Sequence, residues 1–105
     1  MKKLFISQPM RDKTNEEIIE ERNRIKKTVE EKFNEPVELI DSFFKDAPHN
    51  ATPIWYLGQS LLKLSEANVA YFAKKWEKYD GCIIEHETAV RYSKRDNINL
   101  DIIEE

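Results

Sequence analysis

The chain has 105 residues, enough for one domain with a single small core and little room for insertions. Charged residues make up 35%, above a usual share of about 25%, and 17 Lys+Arg against 20 Asp+Glu leave a formal net charge of −3. That balance gives no global basic field for a nucleic-acid polymer. Two glycines, Gly58 and Gly81, cannot build a glycine-rich dinucleotide or phosphate loop, and one cysteine, Cys82, excludes an internal disulfide, a C-x-x-C pair and a cysteine-rich zinc site. No apolar run approaches the ~20 residues of a membrane span. The opening Met1-Lys2-Lys3-Leu4-Phe5-Ile6-Ser7 holds too few apolar residues for a signal-peptide core. The expectation is a cytoplasmic protein with no membrane partner.

Leu4-Phe5-Ile6 has the form of a short strand buried on both faces. Residues 7–13 read as a loop, with Pro9 blocking regular continuation. Thr14-Asn15-Glu16-Glu17 then matches a capping box and opens a helix. Ile18, Ile25, Val29 and Phe33 line one face of it, and Arg22 interrupts the stripe. Its acidic start and basic continuation complement the helix dipole, as a solvated face does.

Val37-Glu38-Leu39-Ile40 is a second strand, followed by a loop over 41–50 that carries Phe43, Phe44 and His49. Thr52-Pro53 gives an N-cap and a proline at the first helical position. Ile54, Leu57, Leu61 and Leu64 then predict a buried helical stripe. Val69-Ala70-Tyr71-Phe72 is a third strand, and residues 73–80 form a charged loop with Trp76 and Tyr79. A third helix runs from about Cys82 to Tyr92, and Ile98-Asn99-Leu100, extending toward Ile103, is a fourth strand. The β-α-β-α-β-α-β order predicts an α/β three-layer sandwich on a mainly parallel sheet of four to five strands, as one domain over residues 1–105.

Open parallel sheets bind ligands beyond the carboxyl ends of their strands. That rule gathers the loops over 7–14, 41–52 and 73–82, and with them Ser7, Gln8, Arg11, Asp41, His49, Trp76, Tyr79 and Asp80. On the third helix Cys82, Glu85, Ala89 and Tyr92 share one stripe, so a carboxylate sits on a face otherwise suited to packing. A carboxylate leaning toward a helix N-terminus is favoured in its anionic form and suits covalent catalysis at an electrophilic carbon. Spacing alone favours an ordinary helix acid over that role. Arg11, with the free amides of the following helix, suits a phosphate, though an exposed loop arginine reads the same way. Trp76 and Tyr79 suit stacking on a nucleobase, or closing the top of the sheet. Glu85-His86-Glu87 does not converge on a metal because successive helical side chains diverge by about 100°, and no G-x-S-x-G elbow supports a serine hydrolase.

Five segments occur in a recognisable order: Phe5-Ile6-Ser7-Gln8-Pro9-Met10-Arg11, Ile40-Asp41-Ser42-Phe43-Phe44, Trp55-Tyr56-Leu57-Gly58-Gln59-Ser60, Ser65-Glu66-Ala67-Asn68-Val69, and Gly81-Cys82-Ile83-Ile84-Glu85-His86-Glu87. Over nearly its whole length the chain resembles the nucleoside 2-deoxyribosyltransferase-like family, in particular a small bacterial and phage branch. The resemblance implies a flavodoxin-like sandwich and cleavage or transfer at an N-glycosidic bond, with no cofactor and no metal. It implies Glu85 as nucleophile, since Glu85 and Ala89 match the family's Glu-x-x-x-Ala pattern. It also implies Ser7 and Arg11 as contacts to a 5′-phosphate, by likeness to the Ser-Ile-Arg-Gly segment of 2′-deoxynucleoside 5′-phosphate N-hydrolases. Active members carry a second-helix aspartate eight residues before an Ala-Asp motif. Here the two positions read Ser60 and, in Ala67-Asn68, Asn68. The acid that protonates the leaving base is then expected from Asp80, or from Asp41, with Trp76 and Tyr79 sandwiching the base and Gln8 among the substrate contacts.

Three functions follow from these residues: a transferase or hydrolase acting on a nucleoside or nucleotide, a non-catalytic nucleotide-binding or sequestering protein, and a structural subunit that keeps only the fold. Each is expected to form a homo-oligomer, because a small sheet leaves edge strands exposed and family members complete their sites from a neighbouring subunit. The apolar Ile98, Leu100, Ile102 and Ile103 are candidates for that interface.

Overall fold

A computed structural model describes residues 1–44, 46–95 and 99–105. Among them are four strands, β1 (Lys2–Ser7), β2 (Val37–Leu39), β3 (Val69–Phe72) and β4 (Asp101–Glu104). The helices are α1 (Asn15–Phe33), α2 (Pro53–Leu64) and α3 (Asp80–Arg95), with a single 3-10 turn at Trp76–Lys78. The strands form one sheet in the order β2-β1-β3-β4, with every pair parallel. Leu4 faces Leu39 on one side and Val69 on the other, which fixes the register at the centre. The fold is therefore α/β, a flavodoxin-like three-layer sandwich on a four-stranded parallel sheet. Strand order reverses direction between β1 and β3, and such a switch opens a crevice at the strands' carboxyl ends.

The two sheet faces are read directly from the strand sequences, because successive side chains alternate. Leu4, Ile6, Val69 and Tyr71 pack with Ile25 and Val29 of α1. Phe5, Ala70 and Phe72 pack the other way, with Leu64 of α2 and Ala89 of α3. All four residues of β3 are buried, as a strand covered on both faces requires.

Helix starts follow their caps. Thr14 Oγ1 accepts from the Glu17 amide while the Glu17 carboxylate accepts from the Thr14 amide, so the expected capping box is formed. Thr52 caps α2 through its side chain alone, Oγ1 accepting from the Trp55 amide, with Pro53 first in the helix. Helix α1 ends on Asn34 in the left-handed conformation (φ 54°), which Asn tolerates better than most residues. Asn68, at the position where the resembled family carries aspartate, accepts the Lys3 amide through Oδ1 at 2.9 Å and donates its own amide to Lys3 O. A carbonyl oxygen suffices for that link.

Several expectations need correction. Ile54 is 80% exposed, so the buried stripe of α2 is confined to Leu64, with Leu57 and Leu61 half-buried. Helix α3 starts two residues earlier than expected, at Asp80, and Tyr92 lies outside its buried stripe. The expected start of the fourth strand at Ile98 lies outside the described residues, and pairing begins at Asp101. Arg22 does not break the α1 stripe but is buried within it.

Candidate functional site

At the carboxyl end of β1 the chain leaves the sheet through Ser7, and α3 returns beneath the same point after β3. This brings Ser7 and Glu85 together: Ser7 Oγ donates to Glu85 Oε1 at 2.6 Å, and both residues are buried. Glu85 reaches this position because Cys82, Glu85 and Ala89 lie on the sheet-facing side of α3. Burial raises the Glu85 pKa from its ordinary value, 4.5; hydrogen bonding from the Ser7 and Ser60 hydroxyls opposes that rise without cancelling it. The sequence-based expectation of a carboxylate eased into its anionic form by the helix terminus is thus outweighed by desolvation. Cys82 sits one turn earlier, and burial pushes its thiol up to about 11.

Glu85 opens onto a cavity of about 790 Å³. The cavity is lined by Ile6, Gln8 and Cys82, and by Phe43 and Phe44 of the β2–α2 loop. Tyr56, Leu57 and Ser60 of α2 also line it, as do Met10, Arg11 and Tyr79. Among the described residues Glu85 is the one carboxylate lining this cavity and Arg11 the one cation. A mainly apolar, aromatic-walled cleft with few polar groups is the usual form of a small-molecule site. A neighbouring cavity of about 370 Å³ shares Phe43 and Phe44 and is also lined by Arg22, Asp41 and Asp46.

The expected site residues divide accordingly. Glu85, Arg11 and Tyr79 line the main cavity. Ser7 does not offer its hydroxyl proton to a phosphate, since it is given to Glu85. Gln8 lines the cavity, yet its amide is already committed: Nε2 donates to Ile18 O and Glu21 Oε1, and Oε1 accepts from Arg22 Nη1. It is a structural relay rather than a free ligand contact. Asp41 belongs to the smaller cavity. Asp80, the first residue of α3, is exposed and lines neither cavity. Trp76 turns away from the cleft because the 3-10 turn lays it on His86, with ring centroids 4.1 Å apart, and against Phe72. His86 is held there too, edge-on to Phe72, with Nε2 3.4 Å from Glu104 Oε2 but not aligned for a hydrogen bond. His49 is exposed and lines neither cavity. The first turn of α1, proposed above to help hold a phosphate, contributes no residue to the cavity wall.

Three residues that the sequence does not single out as site residues matter here. Ser60, noted there only as the place of a missing aspartate, lines the cavity and acts on Glu85. Ser42 lines the same cavity and is 5% exposed. Arg22, also 5% exposed, donates through Nη1 to Gln8 and through Nη2 to Ile40 O and Ser42 Oγ. Burial lowers its pKa, and the charge of Asp41 pulls it back. The signal available for Arg22 was a long cation inside an otherwise apolar stripe.

Among the described residues no group of three or more His, Cys, Asp or Glu side chains is arranged to hold a metal ion, and no helix is long and apolar enough to cross a membrane. No family model matches the chain, and no curated protein or solved structure does so either.

Proposed function

We propose that the domain cleaves or transfers at the N-glycosidic bond of a nucleoside or nucleoside 5′-phosphate, with Glu85 as nucleophile. The observation that carries this reading is the buried Glu85 carboxylate, fixed by Ser7 and opening onto an aromatic-walled cavity at the switch in strand order. The ionised carboxylate attacks C1′ opposite the base. The C1′–N bond breaks, its electron pair leaves with the base, and a glycosyl ester forms on Glu85. Attack by water returns the free sugar and the carboxylate; attack by a second base gives transfer. Tyr79 offers its ring to the base and Arg11 its charge to a 5′-phosphate.

Asp80 and Asp41 lie outside the main cavity's lining, so the departing base takes its proton from solvent rather than from either residue. That same observation favours a second reading, retention of a nucleotide without turnover. Incubation with a panel of nucleosides and 5′-nucleotides, scored chromatographically for free base and calorimetrically for binding, separates the two. Base release that Glu85→Ala abolishes, a loss of at least about 10³-fold, with the fold intact, supports the enzyme. Binding without release supports the second reading, and neither binding nor release overturns both.

For the enzyme, kcat/KM falls on the acid side at a pH above the ordinary carboxylate value, because burial raises Glu85 and only its ionised form attacks. Ser7→Ala removes a bond that favours the ionised form, so the acid limb moves to higher pH. An unmoved limb breaks the assignment of that limb to Glu85.

The self-association expected from the sequence is retained as part of this proposal. It is supported by α2, whose sole charged residue is Lys63 and whose Ile54 and Leu62 are largely exposed. Light scattering that gives a monomer at working concentration overturns it.

A further inference from the structure

Arg22 and Ser42 raise a question that the glycosidic reading does not answer. A guanidinium that is 5% exposed is costly unless its charge is compensated, yet its hydrogen-bond partners are all neutral: the Gln8 amide oxygen, the Ile40 carbonyl and the Ser42 hydroxyl. No carboxylate lies within ion-pair distance of it among the described residues. Asp41, which lines the smaller cavity with it, offsets part of that cost through its charge, but both Asp41 and Asp46 are exposed and neither forms an ion pair with it.

The Ser42 hydroxyl is the link between that buried charge and the main cavity. A serine hydroxyl has one hydrogen to give and lone pairs to receive with. Ser42 Oγ receives from Arg22 Nη2 at 3.2 Å, which polarises the O–H bond and leaves the hydrogen to be donated. No side chain or carbonyl among the described residues takes that hydrogen. The residue is buried and lines the main cavity, so the acceptor position falls in the space a ligand would fill. A donor with a formal positive charge directly behind it prefers a negatively charged oxygen to a neutral one.

We propose that Ser42, backed by Arg22, is a subsite for an oxyanion of the cavity ligand, of the phosphate or carboxylate kind. Gln8 completes it as the positioning residue that holds Nη1 of the guanidinium while Ile40 O and Ser42 hold Nη2. The subsite lies at Ser42 on the cavity wall with its cation, Arg22, buried behind it, whereas Arg11 is an exposed residue of the first loop. It does not rest on the glycosidic reading, since anion binding needs no turnover.

Titration of the full chain with inorganic phosphate, with acetate and with uncharged glycerol, followed by amide NMR, tests the subsite. The expected result is saturable shifts centred on residues 42–44 for phosphate or acetate, whichever chemistry the site takes, and none for glycerol. Ser42→Ala should weaken that anion at least about tenfold, whereas Arg11→Ala should weaken it less. Arg22→Lys, which keeps the charge but loses the fork, should behave like Ser42→Ala. If Ser42→Ala fails to give a folded spectrum, Ser42→Cys keeps the shape with a weak donor and should show the same loss. Absence of anion binding, equal response to glycerol, or binding lost in Arg11→Ala and kept in the Ser42 variants overturns the proposal.

Discussion

On one face of the sheet, α1 buries Ile18, Ile25 and Val29 along a single stripe, with Ile25 and Val29 packed against Leu4, Ile6 and Val69, and its exposed surface is mostly charged. On the other face, α2 buries only Leu64 of its twelve residues and leaves Ile54 and Leu62 in the open, although it is the less charged helix. Both faces are packed by their own chain, but the second also borders the main cavity, which residues of α2 and α3 line. Ligand space is thus bordered by α2 and α3 and not by α1, although both faces carry a packed core. Arg22 is a place where α1 reaches through to the cavity, by way of Gln8 and Ser42.

The sharpest way to break this contrast is truncation on the α1 side. Ile25 is fully buried, and Ile25→Ala should cost about 3–4 kcal/mol in urea unfolding. A cost under about 1 kcal/mol would show that α1 is not the main support. Glu85→Gln gives a smaller effect of opposite sign. Burial raises the folded-state pKa of Glu85, so the stabilising contribution of its protonated form is present below the ordinary value of 4.5. That contribution is lost as pH rises through the raised value. At pH 8 the wild type therefore bears a buried anion that Gln does not, while Gln Oε1 still accepts from Ser7. Glu85→Gln should melt on the order of a few °C higher at pH 8, with the gain shrinking toward pH 4. A gain that is absent at pH 8, or that grows on acidification, contradicts the assignment of the cost to the ionised form. The smallest effect is expected outside the cavity. Leu62→Lys should change the unfolding free energy of the monomer by less than about 0.5 kcal/mol, measured at a concentration where light scattering finds one chain.

Much of the fold was legible because its signals are local. Leu4-Phe5-Ile6 and Val69-Ala70-Tyr71-Phe72 have the composition of strands covered on both faces, and Thr14 with Glu17 and Thr52 with Pro53 mark helix starts that the backbone obeys. Glu85 was legible for a related reason, since a helix periodicity says which residues share a face. Loop residues have no such periodicity. Ser42 could be quoted as part of a motif but not oriented, and Trp76 was turned from the cleft by a 3-10 turn whose lead residue, Lys75, takes φ 71° without any glycine to announce it. Asp80 was read as a loop residue and is the first residue of α3, which fixes it away from the cavity. Ile54 failed for a different reason. Periodicity states that a face is apolar, and only the surrounding structure decides whether that face is covered.

Cys82 is the sole thiol of the chain, and it lines the main cavity one helical turn before Glu85. With its pKa pushed up to about 11 by burial, it is overwhelmingly protonated at neutral pH and reacts slowly with electrophiles. Slow reaction at one sulfur is a useful property. Whatever fills the cavity shields that sulfur, so the rate at which the chain gains a single alkyl mass reads ligand occupancy directly. The domain carries its own chemical clock, positioned to report occupancy of the cavity whether or not the ligand is ever turned over.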